Sequence, residues 1–369
     1  LPDTQIKQPL RIFAEGGYCF FNNPGPWGNA ELIFDTGSLG LWPNASHGHA
    51  DVLSILVKIN NDWFLTDPGT GAYFDSQAIR DIFRHTASHN TVTIDGLDQA
   101  DIYGTFKWVN PIASSLISSF SSEEFSFVTA QHNGYSRLRK PVLHQRSVIS
   151  ISSYGWFIVD CFMGTGEHSF ARLFNFPQTV ELQHTEKETI SALKSNSGTC
   201  LQFHFPELNQ KENTSLQLDD KGLYSERYGH WQSAPQLQIT THSKPSILLT
   251  FINTHQVTPQ LRPQTTFTTT SLLGGQAMCY RRMFEQDTIE ELIFINPTGQ
   301  KITFADDMQS NADFLCLRRY SDGTIAKAFL IGSDRFVTNS SFTLSSDMDS
   351  NAAFYEAIST ADVNSGISS

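Results

Sequence analysis

Apolar and polar residues alternate along this chain in short runs broken by turn chemistry. Val52–Ile59, Trp63–Thr66, Thr91–Ile94, Ser147–Ile151, Trp156–Phe162, Ile247–Ile252, Glu291–Ile295 and Lys327–Ile331 are rich in Val, Ile, Phe and Thr and read as strands. Turn residues separate such runs, as at Asn60-Asn61, Tyr154-Gly155, Asp219-Asp220-Lys221-Gly222, Asn296-Pro297-Thr298-Gly299 and Ser321-Asp322-Gly323. Only Ser76–Arg84 has helical spacing, with Ile79, Ile82 and Phe83 on one side. The pattern predicts an all-β protein, a large antiparallel β-sandwich of two or more layers, because a single sheet of this length would leave a face wet. Phe, at 28 of 369 residues, supplies side chains large enough to fill the space between sheets. A polar, Pro/Thr-rich stretch from Asn253 to Thr270 places a boundary near residue 260. It divides a domain at 1–260 from a β-rich region at 261–369, whose Ser/Asp/Ala-rich tail from Ser345 to Ser369 is expected to be poorly ordered.

Composition narrows the function. A charged fraction of 17% is too low for a disordered chain or a coiled coil. No stretch approaches the ~18–20 uninterrupted apolar residues of a membrane-spanning helix. The formal charge is −12 and Lys/Arg-rich runs are absent, which argues against nucleic acid as a partner. An anionic ligand would need a local positive site to overcome that field. Five cysteines without a CxxC pair read as buried small hydrophobes rather than a disulfide or metal framework. The chain opens Leu1-Pro2-Asp3 with no initiator Met and no leader, so a processed product or a fragment is expected.

Histidine carries the candidate chemistry. Of 12, four crowd one segment: His47, His49, His85 and His89. A His-x-His pair in extended chain puts two imidazoles on one side, and imidazole with carboxylate is the common ligand chemistry of zinc. His49, Asp67 and His89 form a candidate set for a divalent metal. Spacing permits this site without demanding it. Were Asn60-Asn61 a two-residue hairpin turn, Asp67 would lie opposite Ser54, leaving His49 roughly 17 Å further along an ideal strand. The segment from His47 to Ala50 would then have to curl back, using the freedom of Gly48.

The blocks His47-Gly48-His49-Ala50-Asp51, Asp67-Pro68-Gly69-Thr70, Phe83-Arg84 and Ser88-His89-Asn90-Thr91-Val92-Thr93-Ile94-Asp95-Gly96 resemble the heparinase II/III-like polysaccharide lyases. Supporting blocks are Phe34-Asp35-Thr36-Gly37, His132-Asn133-Gly134-Tyr135, Pro141–Arg146 and Trp156–Asp160. The resemblance runs from about Gly17 to about Asn253. It implies the β-sandwich part of enzymes that also carry an N-terminal (α/α) toroid, expected upstream and absent from this chain's pattern. It further implies that His47 faces the uronate, as the catalytic residue of this half, and that His49, Asp67 and His89 hold a structural Zn²⁺. Tyr73 and Arg84 are implied as substrate contacts, with a pairing of Arg84 to Asp81 or Asp67 the alternative. The acid and base come from the toroid in this family, so the chain is expected to hold half of an active site.

The reaction implied is β-elimination at uronic acid residues of an acidic polysaccharide such as glycosaminoglycan, alginate or exopolysaccharide. Polymer substrates and the resemblance imply a periplasmic or secreted setting. Two other readings stay open: a non-catalytic polysaccharide-binding module using Trp27, Trp42, Trp108 and Trp231 as stacking platforms, and a zinc-dependent hydrolase with Asp51 or Asp81 as base. The segment Tyr224–His230 has no assigned role beyond a rim contact.

Overall fold

A computed structural model describes residues 8–25, 28–74, 76–123, 125–151, 155–194, 198–209, 213–256, 265–273, 277–284, 289–304, 308–332, 336–337, 343–344 and 352–356. The chain divides into two units, Leu1–Val257 and Thr258–Ser369. Its described residues are mostly strand, in several antiparallel sheets, with a single α-helix. Among them no helix is long and apolar enough to cross a membrane.

Three larger sheets make up the first unit. One is a five-stranded meander of β1 (Leu10–Phe13), β2 (Tyr18–Gly25), β3 (Gly28–Asp35), β4 (Ile55–Ile59) and β5 (Asp62–Leu65). In β4, Ile55, Val57 and Ile59 are buried while Leu56 and Lys58 are not, as the alternation requires. Asn60 and Asn61 close the β4–β5 hairpin with φ of 52° and 72°, the left-handed pair that a tight hairpin needs and Asn tolerates. A bulge breaks the ideal register: Lys58 faces Trp63, but Val57 faces Leu65. With Phe64 as the extra residue, Asp67 does not come opposite Ser54.

The second sheet has eight strands, in spatial order Val180–Glu186, Thr189–Lys194, Thr199–His204, Ile247–Gln256, Gly155–Gly164, Val142–Ile151, Phe125–His132 and Ser114–Ser121. The third has four: Thr214–Arg227, His230–Ser243, His168–Asn175 and β6 (Val92–Ile94). One apolar cluster joins all three, with Phe21, Phe34 and Phe64 from the first, Trp156 and Phe203 from the second, and Phe174 and Leu237 from the third. Each such side chain contributes about 1.5–3 kcal/mol on full burial, so the sheet framework is the stable part of the unit.

Between β5 and β6 lies α1 (Gln77–Arg84), capped at its start by the Ser76 hydroxyl, which accepts from the Ile79 N–H at 3.4 Å. It buries Phe83 as the spacing predicts, but Ile82 stays exposed. Arg80 and Arg84, one turn apart, are buried instead, because each finds acceptors or an aromatic face inside.

In the second unit a six-stranded sheet runs Thr265–Leu272, Ala277–Phe284, Ile289–Ile295, Phe314–Tyr320, Ile325–Ile331 and Ala352–Glu356. The last of these pairs with Ile325–Ile331, so part of the expected loose tail is strand; the rest of Ser345–Ser369 lies outside the described residues. All five cysteines are free and buried.

Candidate functional site

The connections leaving the first sheet build the site, and their backbone is committed before any side chain is considered. Ala45 and His47 both have left-handed backbones, with φ of 50° and 62°. These two residues, rather than Gly48, supply the curl that returns the chain toward the helix. Gly48 has a different duty: a Cβ there would come within 2.7 Å of the Gly40 backbone, so only glycine fits. The curl is pinned where the His47 N–H donates to the Phe106 carbonyl at 3.0 Å and the Ala50 N–H to that of Arg84 at 2.9 Å. Trp108 adds a bond from its indole N–H to the Gly48 carbonyl at 2.9 Å.

Beyond β5, Asp67 accepts the Gly69 N–H at 2.8 Å, which shapes the Asp-Pro-Gly turn. This turn docks on the segment whose role the sequence left blank: the Ser225 N–H donates to the Pro68 carbonyl, and that of Gly229 to Gly71, each at 2.8 Å. Tyr228 is thereby set beside Tyr73, its hydroxyl accepting the Tyr73 N–H at 3.3 Å.

Within this frame His49, Asp51 and His89 bring their ligand atoms within 4.8 Å of one another. Two members of the expected trio, His49 and His89, stand in this group, and Asp51 joins them. Asp67 touches His89, with its Oδ2 3.2 Å from Nδ1, and Asp51 takes the third place in the group. Asp51 stands two residues past the His-x-His pair, in the same block of sequence, which displayed it without giving it this task. Such a division is common around metals, where a carboxylate holds one imidazole nitrogen and frees the other. His89 fits that description. Its Nε2 is buried and lacks a hydrogen-bond partner, an unmet valence that costs free energy unless something arrives to use it.

Electrostatics agree with a cation site. Burial, with His89 next, lowers His49 to about 3, so its imidazole is neutral. Burial pushes Asp51 up to about 6. Burial and the neighbouring Asp51 hold Asp35 well above the usual carboxylate range. Tyr18 rises to about 12 under Asp35 first, then burial, Asp51 and Asp67. Desolvation opposes the charged form of His89, yet the Asp67 hydrogen bond and charge, with Asp51, raise it above the ordinary value. Three clustered carboxylates and two imidazoles thus fit a divalent ion, and a nitrogen/oxygen donor set suits Zn²⁺.

Two buried groups hold this constellation in place. Asn90 donates to the carbonyls of Ile55 at 2.7 Å and Thr66 at 3.1 Å, and accepts the Asn175 N–H at 2.6 Å, joining β4, the end of β5 and the third sheet. Arg146, in the eight-stranded sheet, sends Nη1 to the carbonyls of Leu53 at 2.7 Å and Asn90 at 2.9 Å. Those carbonyls lie two residues past Asp51 and one past His89, so a single guanidinium clamps both loops. Leu53 needs such a hold, its φ being 64°.

His47 is exposed at the rim. Its ring lies 4.9 Å from that of Phe106 and 6.4 Å from that of Tyr73, while Tyr73 is also 5.6 Å from Tyr228 and 6.2 Å from Phe74. The structure therefore joins His47 and Tyr73 on one aromatic surface. It removes Arg84 from that surface. Arg84 is fully buried, giving its guanidinium to the carbonyls of Gly104, Thr105 and Lys107 at 2.8–2.9 Å and to Asp81 at 3.3 Å, stacked on Trp108. Its Nη1 and Nη2 donors shape the 104–108 segment, and its contact with Asp81 is the pairing the sequence left as the alternative. Missed by sequence reasoning were Phe106, Phe74 and Arg80, none of which stands in a motif. Of the tryptophans considered as platforms, Trp42 is 85% exposed, Trp231 is half-buried and Trp108 is buried. Trp27 lies outside the described residues.

A family model described as Heparinase II/III-like, C-terminal, matches residues 5–270. No curated protein matches the chain. Among solved structures, heparan sulfate lyase HepC from Pedobacter heparinus is similar at a TM-score of 0.61 and 15% identity, over 78% of this chain and 42% of that one. A heparinase III is similar at 0.57 and 16% identity, over 74% of this chain and 41% of that one. At such identities the likeness is one of fold, and this chain spans well under half the length of those structures.

Proposed function

This chain belongs to the Heparinase II/III-like C-terminal family, and from that membership we propose that it is the β-sheet half of a lyase acting on uronic acid polysaccharides. In such a reaction a base takes the C5 proton, the carboxylate accepts enolate-like charge, and the bond to O4 breaks as an acid protonates it. The carboxylate must be neutralised for C5 to lose its proton at a useful rate. His47 is assigned that contact, because an imidazole N–H can donate a hydrogen bond to a carboxylate. Tyr73, Phe74, Phe106 and Tyr228 offer flat faces for sugar rings beside it. Base and acid are assigned to a helical toroid belonging to the same enzyme. A divalent cation, taken to be Zn²⁺, would be held by His49, Asp51 and His89 with Asp67 behind His89. When bound it supplies charge and fixed coordination that rigidify the 47–51 loop. Action on a polymer would accord with a periplasmic or secreted setting.

The observation that carries this reading is the exposed His47 on an aromatic surface, joined through Gly48 to a half-built cation site. The test is activity on uronate polymers, followed as growth of unsaturated-product absorbance. The 369-residue chain alone is expected to bind about one Zn²⁺ per molecule and to show little or no activity. Joined to its toroid it should become active. Robust elimination by the chain alone would overturn the half-site account, and saturated products would favour hydrolysis.

A further inference from the structure

Arg80 is a buried cation in an unusual position. It is 1% exposed, it has no carboxylate ion pair among the described residues, and its Nε has no hydrogen-bond partner. Its two contacts are Nη1 to His49 Nε2 at 2.9 Å and the face of Tyr73, with the guanidinium carbon 5.1 Å from the ring centroid. Guanidinium only donates, so His49 Nε2 must be the acceptor, which puts the single imidazole proton on Nδ1. A neutral imidazole has one lone pair. While Arg80 occupies it, neither nitrogen of His49 can ligate a metal: Nε2 is engaged and Nδ1 is protonated.

We propose that Arg80 is a latch on the cation site and, once displaced, the carboxylate-binding residue of the cleft. This rests on the lyase reading above and deepens it. A divalent ion and Arg80 exclude each other at His49, both by valence and by like charge. When Arg80 loses His49 it loses its one hydrogen-bond acceptor, and a buried guanidinium without an acceptor is costly. The contact that remains is Tyr73, whose ring also lies 6.4 Å from that of His47 at the exposed rim. A sugar carboxylate arriving there satisfies the guanidinium bidentately. Metal loading and recognition of an anionic sugar are thereby coupled through one side chain, and by linkage each favours the other. The sequence hides this, because Arg80 reads as the polar side of a short helix.

The test uses the full chain, with Zn²⁺ alone as the first probe and a glucuronate-containing tetrasaccharide as the second. Arg80→Met should bind Zn²⁺ about tenfold more tightly than the parent, whereas Arg80→Lys, which keeps a competing cation, should stay near it. In the parent, saturating Zn²⁺ should tighten tetrasaccharide binding by about tenfold, and Arg80→Met should abolish that gain. A measurement on the unaltered protein covers the case in which a variant fails to fold. Phenylglyoxal modification of Arg80, read by peptide mapping, should be slow with chelator and fast with Zn²⁺. Equal or weaker Zn²⁺ binding by Arg80→Met, or Arg80 equally protected in both states, overturns the latch. A Zn²⁺-dependent gain that survives in Arg80→Met overturns the carboxylate role. Absence of Zn²⁺ binding in parent and variant alike would sink the metal reading beneath both.

Discussion

Two histidine–aspartate clusters in the first unit have similar parts and opposite finish. In one, the Gly134 N–H donates to His132 Nδ1 at 3.1 Å, His132 Nε2 meets His144 Nδ1 at 3.2 Å, and His144 Nε2 meets Asp160 at 2.7 Å. Asp160 also receives Arg146 through Nε at 2.8 Å and Nη2 at 3.0 Å. Every imidazole nitrogen there has a partner. In the other, His89 keeps an orphaned Nε2 and His49 is held by a guanidinium that can leave. The lesson is that unmet valence, rather than the number of histidines, separates a site from a scaffold. Arg146 links the two, because the charge Asp160 steadies is the one that clamps Leu53 and Asn90.

The largest expected effect comes from breaking the closed cluster. Burial opposes the charge on Asp160, but Arg146 and then His144 hold its carboxyl well below the usual range. Asp160→Ala would leave the Arg146 guanidinium buried without its carboxylate, at a cost of about 3–5 kcal/mol. Denaturant unfolding measures it. Asp67→Asn in the open cluster should change the metal-free stability far less, while weakening Zn²⁺ binding by about 10–100-fold. Equal stability losses in the two variants would erase the distinction.

Adding the ion sharpens the contrast from the other side. At a free Zn²⁺ concentration of about 100 times Kd the folded chain should gain about 2.7 kcal/mol, seen as a rise in Tm that chelator reverses. His49→Ala should lose that gain, and His144→Gln should keep it if it folds.

Protonation gives a smaller effect with a defined sign. Burial drives His132 well below its ordinary pKa, with His144 and Arg146 adding to it, and burial also lowers His144 despite Asp160. The folded chain therefore refuses protons that the unfolded chain takes up below about pH 6.5. Stability from this cluster is full above that pH and falls as pH drops beneath it, by about 1.4 kcal/mol per pH unit for each proton taken up. His49 contributes with the same sign down to about 3. His85, raised by its Asp98 hydrogen bond, opposes them, as do His89, raised against burial by Asp67, and the carboxyls of Asp35 and Asp51, raised by burial; their contributions are full below the unfolded pKa and fade as pH rises through the folded one. With chelator present, lowering the pH from 7 to 5 should cost the parent more unfolding free energy, or gain it less, than it does His132→Gln. Parallel profiles in the parent and His132→Gln would contradict the neutral assignment of the closed cluster.

How much of this was legible depends on what each residue's task requires. The apolar run Ile247–Ile252 and the Asn60-Asn61 turn announce themselves because alternation and left-handed φ constrain residue type locally, whereas the strand's continuation to Gln256 lies in the stretch that reads as a boundary. The motif histidines were visible for the same reason: few tasks need His-x-His. By contrast, the Phe64 bulge, the approach of Asp51 to His49 and His89 and the burial of Arg84 are set by where distant segments meet. Arg84 is spent on carbonyls 20 to 23 residues away, and carbonyls carry no sequence signal. Arg146 and Asn90 work the same way, holding loops through backbone atoms that any residue would supply.

The smallest expected change in stability is the most discriminating. His47 has an exposed ring and no hydrogen bond from it among those described, so replacing it should leave stability within about 0.5 kcal/mol, provided the backbone is respected. That proviso selects the variant. At φ of 62° alanine would add strain of its own, whereas asparagine tolerates the left-handed region. His47→Asn should therefore keep the Tm and the Zn²⁺ stoichiometry of the parent, and in the toroid-bearing enzyme should cut kcat by about 10²–10⁴-fold. His49→Asn should lose metal and stability together, although it lies only two residues away. If both variants lost metal alike, His47 would belong to the cation site rather than to the sugar.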